Sequence, residues 1–326
     1  MIDKYFKIIS TGSYLPKNIV FNKDLEKIVD TNDKWIVENL GIKQRHIADK
    51  NECTSDLASK AAIDAIKNAG ISNKEIDLII VATATPDRLC PSTACIVQEK
   101  IGAFNATAFD VSAVCSGFLF GLSIASQYLN SKTYKNVLII GADTFSKITD
   151  PSSRDSVYFG DGAGAVILSN SSDSGFLSIK LGSDGRGKFN FTVKAGGSEK
   201  PASYETLKNN EHFFLMNGKA VYETGIKILP KMINEVLKEA NLSIKDIDLM
   251  IPHQPGIRVL KETARLINLP WEKVETNMDL YANTAGATVG LVLDQANKNN
   301  KLKKGSNILF ATVGSGWTFG AGIMKV

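Results

Sequence analysis

Cys115 is the residue of this chain best placed for nucleophilic chemistry. It opens a segment, residues 115–129, that contains no charged residue, and residues 106–114 before it have the pattern of a strand. A helix that is apolar on every face is buried, so the thiol is predicted to lie where a strand turns into a buried helix. The free N–H groups and the dipole of a helix N-terminus favour the thiolate over the thiol. We therefore expect a buried, nucleophilic thiolate at Cys115.

Such a nucleophile needs a base or a charge partner, and the chain has three histidines. His46 and His212 lie in polar stretches and are predicted to be surface residues. His253 directly follows an apolar strand, and ligands bind at the carboxyl ends of strands in α/β sheets. A loop histidine is as often structural as functional, so its position is the stronger argument. Asn283 precedes a second stretch with almost no charge, although an Asn at a helix start is usually only an N-cap.

An internal repeat would bring these three side chains together. Residues 75–80 recur as residues 246–251, an offset of 171 (246 − 75), and each copy follows an amphipathic helix. The same offset places Cys115 opposite Gly286, which opens the second stretch with almost no charge. If the two halves pack about a pseudo-twofold axis, both buried helix N-termini point to one place. The thiol, the imidazole and the amide are then predicted to converge there.

The repeat also predicts the fold. Each half alternates strands and helices, which is typical of a mostly parallel sheet with right-handed crossovers. Two such sheets with the charge-free helices between them give a five-layered αβαβα sandwich. We expect the division at a turn-rich stretch, residues 170–175, so that a half spanning residues 1–172 carries the Cys and a half spanning 173–326 carries the His and the Asn. Residues 182–212 are predicted to be a polar insertion.

Composition excludes several classes of protein. The chain has 326 residues, 44% of them apolar, and a net charge of +4, which is too small to indicate nucleic-acid binding. No apolar run approaches the ~18 residues that span a bilayer, and the first residues lack the apolar core of a signal peptide. Four cysteines without a Cys-x-x-Cys pair predict neither a disulfide framework nor a zinc site. We expect a cytoplasmic enzyme that does not bind a membrane.

Short motifs spread along the whole chain match one enzyme family. They are residues 12–16, 32–36, 41–42 with 45–46, 109–117, 159–165, 252–254, 283–284 and 314–316. With Cys, His and Asn in these settings, the chain resembles a β-ketoacyl-acyl-carrier-protein synthase III, a condensing enzyme of the thiolase superfamily. The resemblance implies the thiolase-like five-layered fold and a homodimer. It also implies acyl-CoA and acyl carrier protein as the molecules that the enzyme meets.

The resemblance implies a two-step reaction. Cys115 takes the acyl group from acyl-CoA, with the backbone N–H groups of Cys115 and the Ser315 region as the oxyanion hole. A malonyl thioester then loses CO2, His253 and Asn283 hold the enolate oxygen, and the carbanion attacks the acyl-enzyme. No metal, nucleotide or flavin is required. Condensing enzymes that do not decarboxylate use a second Cys near the C-terminus, and residues 314–320 contain none.

Further sites carry over from the same family. Trp35 and Arg154 match residues that hold the CoA adenine between an indole and a guanidinium. Arg258 and Arg265 match basic positions that dock the carrier protein, and Lys261 would share their helix face. A merely solvated basic face is an equally good interpretation of that cluster.

The chain also departs from the family. Cys90 stands where a bulkier residue of the dimer partner often closes the acyl pocket, and Val313 replaces a common Phe beside the site. The other departures are Pro255-Gly256 after the His-Gln pair, Tyr281-Ala282 before the Asn, Asn39 for a CoA-binding Arg, and Glu223 for a docking Lys. We expect fatty-acid initiation or a related specialised pathway. The alternative is an acyltransferase that passes the Cys115-bound acyl group to an alcohol or amine, and a non-catalytic binding protein is disfavoured.

Overall fold

The computed structural model describes residues 5–326. The first four residues, which belong to the segment predicted not to be a signal peptide, lie outside the described range. The strands are β1 (Tyr5–Tyr14), β2 (Asn18–Phe21), β3 (Gln44–Ile47), β4 (Leu78–Ala82), β5 (Thr107–Val111), β6 (Asn136–Asp143), β7 (Gly162–Ser183), β8 (Phe191–Val193), β9 (Phe214–Met216), β10 (Leu249–Pro252), β11 (Asn307–Gly314) and β12 (Thr318–Lys325). The helices are α1 (Asn22–Leu25), α2 (Asp33–Leu40), α3 (Thr54–Ala69), α4 (Thr93–Ile101), α5 (Gly117–Asn130), α6 (Tyr204–Lys208), α7 (Gly218–Glu239), α8 (Ile257–Ile267), α9 (Met278–Tyr281) and α10 (Thr288–Lys298). None of these helices is long and apolar enough to cross a membrane.

The main sheet system has the same strand order twice. The first part runs β1-β7-β6-β4-β5, with β4 parallel to both β5 and β6. The second runs from the end of β7 through β12 and β11 to β10, and Val274 bridges Met250 on the far side of β10. Numbered along the chain, both parts read 1-5-4-2-3. The sequence repeat is therefore matched by a repeat in strand pairing.

Five layers result from this arrangement, as the sequence predicted. Helices α5 and α10 lie between the two parts of the sheet, and Phe118 and Val289 are fully buried there. Helices α3 and α4 cover the outer face of the first part, and α7 and α8 cover that of the second. Helix α10 crosses β7 so closely that a Cβ on Gly164 would lie 2.3 Å from the carbonyl carbon of Gly290. Only glycine fits there.

The junction between the halves differs from the expected turn. Residues 170–175 lie within β7, which passes from the first part of the sheet to the second as one strand. Tyr5 pairs with Gly175 while Phe6 pairs with Asn170, so the register against β1 shifts at this point. The polar residues here mark an irregularity in a strand rather than its end. The division at 172 stays a prediction.

The insertion after β7 begins with a tight turn. Asp184 precedes a 3-10 turn at Gly185–Gly187, and its side chain accepts a hydrogen bond from Arg186 N at 3.1 Å. The composition of the insertion is polar, but part of it forms a strand with apolar side chains. Its strand β8 pairs antiparallel with β9, and this two-stranded sheet lies beside the cavity described below.

Candidate active site

Cys115 lies in a tight turn between β5 and α5. The turn, Val114–Ser116, places Val114 at a φ of 46°, which is unusual for a β-branched residue. Ala285, at the same point before α10, has a φ of 49°. A strained backbone at a strand-to-helix turn is typical of functional sites. The turn projects the Cys115 side chain from the buried helix N-terminus, and the residue is 8% exposed.

The resting state of Cys115 differs from the expectation. Burial raises the pKa of the thiol well above its usual value, and the nearby carboxylate of Asp143 raises it further. A helix dipole contributes about 0.3–2 kcal/mol, whereas removing a charge from water costs several kcal/mol. Desolvation therefore outweighs the dipole. The predicted resting thiolate is wrong, and the protein holds a neutral thiol.

His253 directly follows β10 and extends its hydrogen bonding. Its backbone N–H donates to the Ala311 carbonyl at 2.9 Å, and the residue is 2% exposed. Burial lowers the pKa of the imidazole to about 3, so the ring is neutral at physiological pH. Its Nδ1 has no hydrogen-bond partner within residues 5–326. Nδ1 itself is buried, and the neutral imidazole lines a cavity together with Cys115.

Gln254 holds the loop that carries this histidine in place. Its Nε2 donates to the carbonyls of Pro252 and Glu275, both at 3.2 Å. Its Oε1 accepts from Asn277 N at 3.4 Å. The side chain is fully buried, so the loop after β10 is held to the segment that leads toward α9.

Asn283 lines the cavity and also holds the turn that leads into α10. Its Oδ1 accepts from Ala285 N at 2.9 Å, and its backbone is bonded to Tyr158 and Gly160 at 3.1 and 3.0 Å. Because Oδ1 faces that amide, the Nδ2 group is left to donate elsewhere. Ala282 before it has φ 58° and ψ −157°, a region that is essentially restricted to glycine. The N-cap of the turn is Thr284, so the N-cap interpretation of Asn283 is wrong by one residue. The functional interpretation stays a prediction.

One cavity of about 220 Å³ collects most of the predicted site residues. Cys115, His253 and Asn283 line it, together with Ser315 and Val313. Its mouth includes Trp35, Asn39, Pro255, Gly256 and Arg258. The structure thus brings the thiol, the imidazole and the amide to one enclosed space.

The sequence did not indicate the residues that form the apolar wall of this cavity. Phe191 of the insertion lines it, and the Ser315 hydroxyl donates to the Phe191 carbonyl at 2.6 Å. Phe191 stacks on Phe214 with ring centroids 5.0 Å apart and planes 4° from parallel. Phe145 stacks on Phe159 at 4.7 Å, and this aromatic group packs with Cys115. The alternation of Phe189, Phe191 and Val193 was the available signal for a strand here.

Residues at the mouth already contact one another. The Arg154 guanidinium lies over the Trp35 ring, 4.4 Å from its centroid. Arg258 donates to Asn39 Oδ1 at 3.0 Å. Asn39, which stands in place of a CoA-binding Arg of the family, is therefore bonded to a different Arg. Arg258 therefore lies close to the predicted CoA-binding residues.

The basic face of α8 is exposed as predicted, but its charges are unequal. Arg258, Lys261 and Arg265 all lie on the solvent side of the helix. Arg265 forms a bidentate contact with Glu262 at 2.7 and 2.8 Å, which offsets its charge. Glu223, on α7, lies 3.9 Å from Lys219.

Several predicted residues lie away from the cavity. Cys90 is exposed in the loop before α4 and does not line it. Tyr281 packs edge-on against His46 with centroids 5.7 Å apart. His46 and His212 were expected at the surface and are half-buried instead; His46 Nδ1 is 2.6 Å from the Pro16 carbonyl oxygen. Within residues 5–326, no group of three or more His, Cys, Asp and Glu could hold a metal.

Comparison with known proteins agrees with the site. The family model for 3-oxoacyl-[acyl-carrier-protein] synthase III matches residues 109–185, and its C-terminal model matches residues 237–326. A β-ketoacyl-[acyl-carrier-protein] synthase III of Clostridioides difficile (strain 630) is 46% identical over 319 residues, 98% of this chain and 97% of the relative. The chain belongs to the β-ketoacyl-acyl-carrier-protein synthase III family.

Solved structures place the fold in the same family. The 3-oxoacyl-[acyl-carrier-protein] synthase III of Aquifex aeolicus VF5 is 39% identical, with a TM-score of 0.91 over 98% of this chain and 100% of that one. The priming β-ketosynthase of the R1128 polyketide biosynthetic pathway is 27% identical, with a TM-score of 0.90 over 98% and 96%. The family therefore includes a synthase that serves a specialised pathway.

Proposed function

We propose that this synthase condenses an acyl group carried on Cys115 with malonyl-acyl carrier protein, releasing CO2 and a β-ketoacyl thioester. One observation carries the proposal: a buried thiol, a neutral imidazole and an oriented amide line a single cavity. We assign the reaction to fatty-acid initiation, which the resemblance implies, or to a related specialised pathway, since one similar synthase is named for a polyketide pathway. The chemistry uses the substrates' own thioesters and needs no metal or organic cofactor.

The first step loads the enzyme. The Cys115 sulfur attacks the thioester carbon of acyl-CoA, the carbon–sulfur bond to CoA breaks, and the thiol proton ends on the CoA sulfur. Because burial keeps Cys115 neutral until attack, charge develops on the thioester oxygen as the bond forms. The amides of Cys115 and Ser315 are the groups we assign to hold that oxygen.

The second step makes the new carbon–carbon bond. The malonyl carboxylate leaves as CO2, and the electron pair becomes an enolate whose oxygen accepts from His253 and Asn283. A dry cavity disfavours the carboxylate and favours neutral CO2. The carbanion attacks the acyl carbon, and the Cys115 sulfur leaves and takes a proton from solvent. Burial then favours the restored thiol.

The substrates approach from the mouth of the cavity. The Trp35–Arg154 stack offers an indole and a guanidinium between which an adenine ring would insert, at the cost of their own cation–π contact. Arg258 is the exposed cation nearest the mouth, and we assign it to the acidic carrier protein. Arg265 is a weaker partner because Glu262 already holds it.

The aromatic wall limits the acyl group. The rings of Phe145, Phe159, Phe191 and Phe214 pack on one another around Cys115 and fill the space into which a long chain would extend. Val313 lines the same cavity. We infer that the enzyme accepts a short primer.

We also propose that the active form is a homodimer. Leu89, beside Cys90, is 87% exposed, and Phe104 is 72% exposed near the edge strand β5. Large apolar side chains this exposed are typical of an interface. Light scattering should give a mass of two chains, and a monomer at assay concentration would contradict this assignment.

The reaction is tested in two stages on one sample. Intact-protein mass spectrometry after acetyl-CoA should show one acetyl group, located on the Cys115 peptide and absent from Cys115→Ser. Malonyl-acyl carrier protein is then added, and CO2 release should accompany loss of the acetyl mass.

The outcomes separate the candidates. Acetylation without any CO2 release, with the acetyl group moving instead to an alcohol or amine, would establish the acyltransferase and overturn the synthase. Acetylation on Cys53, Cys90 or Cys95 would overturn the site assignment. An octanoyl-CoA control should load much more slowly than acetyl-CoA if the aromatic wall limits the primer.

A further inference from the structure

The two buried turns at the centre of the molecule have the same backbone shape and different surroundings. Val114 and Ala285 both have positive φ, and each is the first residue of a turn that leads into a helix, followed by Cys115 in one turn and by Gly286 in the other. Strands β6 and β11, which end beside these turns, also correspond residue for residue with the same offset of 171 (307 − 136). The two surroundings can therefore be compared position by position.

Beside Gly286, the last residue of β6 is a carboxylate. Asp143 is fully buried, and its Oδ2 accepts from Gly286 N at 2.7 Å. Its Oδ1 accepts from the backbone N–H groups of Ala84 and Thr85 at 2.8 and 3.0 Å. The hydroxyls of Thr83 and Thr85 donate to the same oxygen at 3.0 and 2.8 Å.

The next amide along the chain is also satisfied internally. Thr144 N donates to Thr85 Oγ1 at 2.9 Å. Thr144 corresponds to Ser315, the second amide that we assign to the oxyanion hole. The two amides that correspond to the oxyanion donors, Gly286 N and Thr144 N, are thus both bonded to side chains of the first half.

Beside Cys115, the corresponding residue is Gly314, which has no side chain. A Cβ on Gly314 would lie 3.0 Å from Cys115 N and 3.1 Å from Ser116 N. A carboxylate here would therefore occupy the space in front of those amides, as Asp143 does beside Gly286. The residue that corresponds to Thr85 is Gly256, which supplies no hydroxyl. The second half leaves open the space that the first half fills.

We propose that Asp143 is a positioning residue: its carboxylate is the internal hydrogen-bond acceptor in the duplicate of the oxyanion hole and fixes the turn that carries Asn283. The inference rests on the proposed function for what Asn283 does, and on the structure for where Asp143 lies. Gly286 N is held by Asp143, and the adjacent Ala285 N is held by Asn283 Oδ1. Without the contact between Asp143 and Gly286 N, the contact between Asn283 and Ala285 N loosens. The side-chain amide of Asn283 is then less well oriented.

A positioning role predicts an unequal effect on the two chemical steps. Asn283 serves the malonyl step, whereas the attack of Cys115 on acyl-CoA uses the other turn. Loss of the Asp143 acceptor should therefore slow CO2 release. Acylation should be unchanged or slightly faster, because the Asp143 carboxylate raises the pKa of the Cys115 thiol. A purely structural carboxylate would lower both steps together through the folded fraction.

Asp143→Asn is the decisive variant because the side chain keeps its volume and its Oδ1 atom, while an NH2 group replaces Oδ2 and faces Gly286 N. Asp161→Asn is the matched control: Asp161 is also fully buried and accepts from Ala48 N and Ser146 N at 2.7 and 2.9 Å. We expect Asp143→Asn to acetylate Cys115 within about threefold of the natural protein and to release CO2 at least about tenfold more slowly. Asp161→Asn should change both rates by one common factor. Equal changes in both steps of Asp143→Asn, or no change in either, would overturn the inference.

A second readout does not depend on the malonyl reaction. In Asp143→Gly, sodium formate should raise Tm relative to sodium chloride of the same ionic strength, because formate can take the vacated place at Gly286 N. Asp161→Gly, the control, and the natural protein should show no such difference. If the natural protein never releases CO2, the proposed function fails, and the formate shift alone decides whether Asp143 fills an anion site. No formate-specific shift in folded Asp143→Gly would overturn that site.

Discussion

The ends of β4 and β10 occupy the same place in the two halves and carry different chemistry. Ala82 ends the first strand, whereas His253 follows the second. Gly286 begins the turn of one buried helix and Cys115 that of the other, and Asp143 stands where the second half has Gly314. The backbone frame is shared, and the polar side chains are not.

This difference shows how a duplicated frame supports one reaction centre. Amides at a helix N-terminus attract negative charge wherever they occur. The carboxylate of Asp143, in the first half, satisfies that attraction at Gly286 N, whereas Gly314 of the second half leaves the amide of Cys115 open for the substrate. The reaction centre takes its nucleophile from the first half and its imidazole and side-chain amide from the second. Each prediction below makes one half resemble the other or alters a feature that only one half has.

The largest effect should come from giving the second half the carboxylate of the first. Gly314→Asp would place a charged group in front of Cys115 N, where a Cβ alone lies 3.0 Å away. We expect acetylation of Cys115 to slow by about 10³-fold, the upper range for loss of an oxyanion donor. The rate is measured by rapid-quench mass spectrometry. Gly197→Asp, at a position with open space around it, should be unaffected, and a rate for Gly314→Asp within threefold of the natural protein would refute the assignment.

His253→Ala gives the second strand end the residue of the first. CO2 release from malonyl-acyl carrier protein should fall by about 10²-fold, since one donor to the enolate is lost. Acetylation of Cys115 should change less. His212→Ala, outside the cavity, is the control. A uniform loss in both steps would place His253 in the loading reaction instead.

The protonation of Cys115 is tested by pH. Because burial raises its pKa, the thiolate fraction should increase about tenfold per pH unit through the neutral range. Iodoacetamide modification of the Cys115 peptide should therefore accelerate about 100-fold from pH 6 to pH 8 without a plateau. A plateau in this range would indicate a thiolate–imidazolium pair, contrary to the pKa directions of Cys115 and His253.

Only Phe191 of the aromatic wall comes from the insertion of the second half, whereas Phe145 and Phe159 belong to the first half. Phe191→Ala should raise kcat/KM for octanoyl-CoA relative to acetyl-CoA by about tenfold, the size expected for opening an apolar pocket. Phe189→Ala, at an exposed ring two residues away (72% exposed), provides the comparison. If the ratio is the same in both variants, Phe191 does not limit the primer.

The smallest effect concerns the turn before Asn283. Ala282 holds a glycine-like conformation, whereas its counterpart Val111 lies in a regular strand. Ala282→Gly should increase the free energy of unfolding by about 1 kcal/mol, because the gain from relieving backbone strain exceeds the entropic cost of glycine. Urea titration measures it. Destabilisation would mean that the neighbouring contacts relieve the strain at Ala282.

The sequence predicted the frame well because the repeat and the charge-free helices constrain burial. It also predicted that Cys115, His253 and Asn283 would meet. The protonation of Cys115 was missed because it depends on the balance between burial and the helix dipole. Phe191 was missed because the insertion folds back over the site, and the role of Asp143 was missed because its partner Gly286 lies 143 residues away.

A crystal structure of the protein acetylated on Cys115 tests the central comparison most directly. If these amides form the oxyanion hole, the acetyl oxygen should lie about 2.7–3.1 Å from the amide nitrogens of Cys115 and Ser315. Asp143 should still be bonded to Gly286 N. An acetyl oxygen turned away from both amides, or an Asp143 carboxylate released from Gly286, would contradict it.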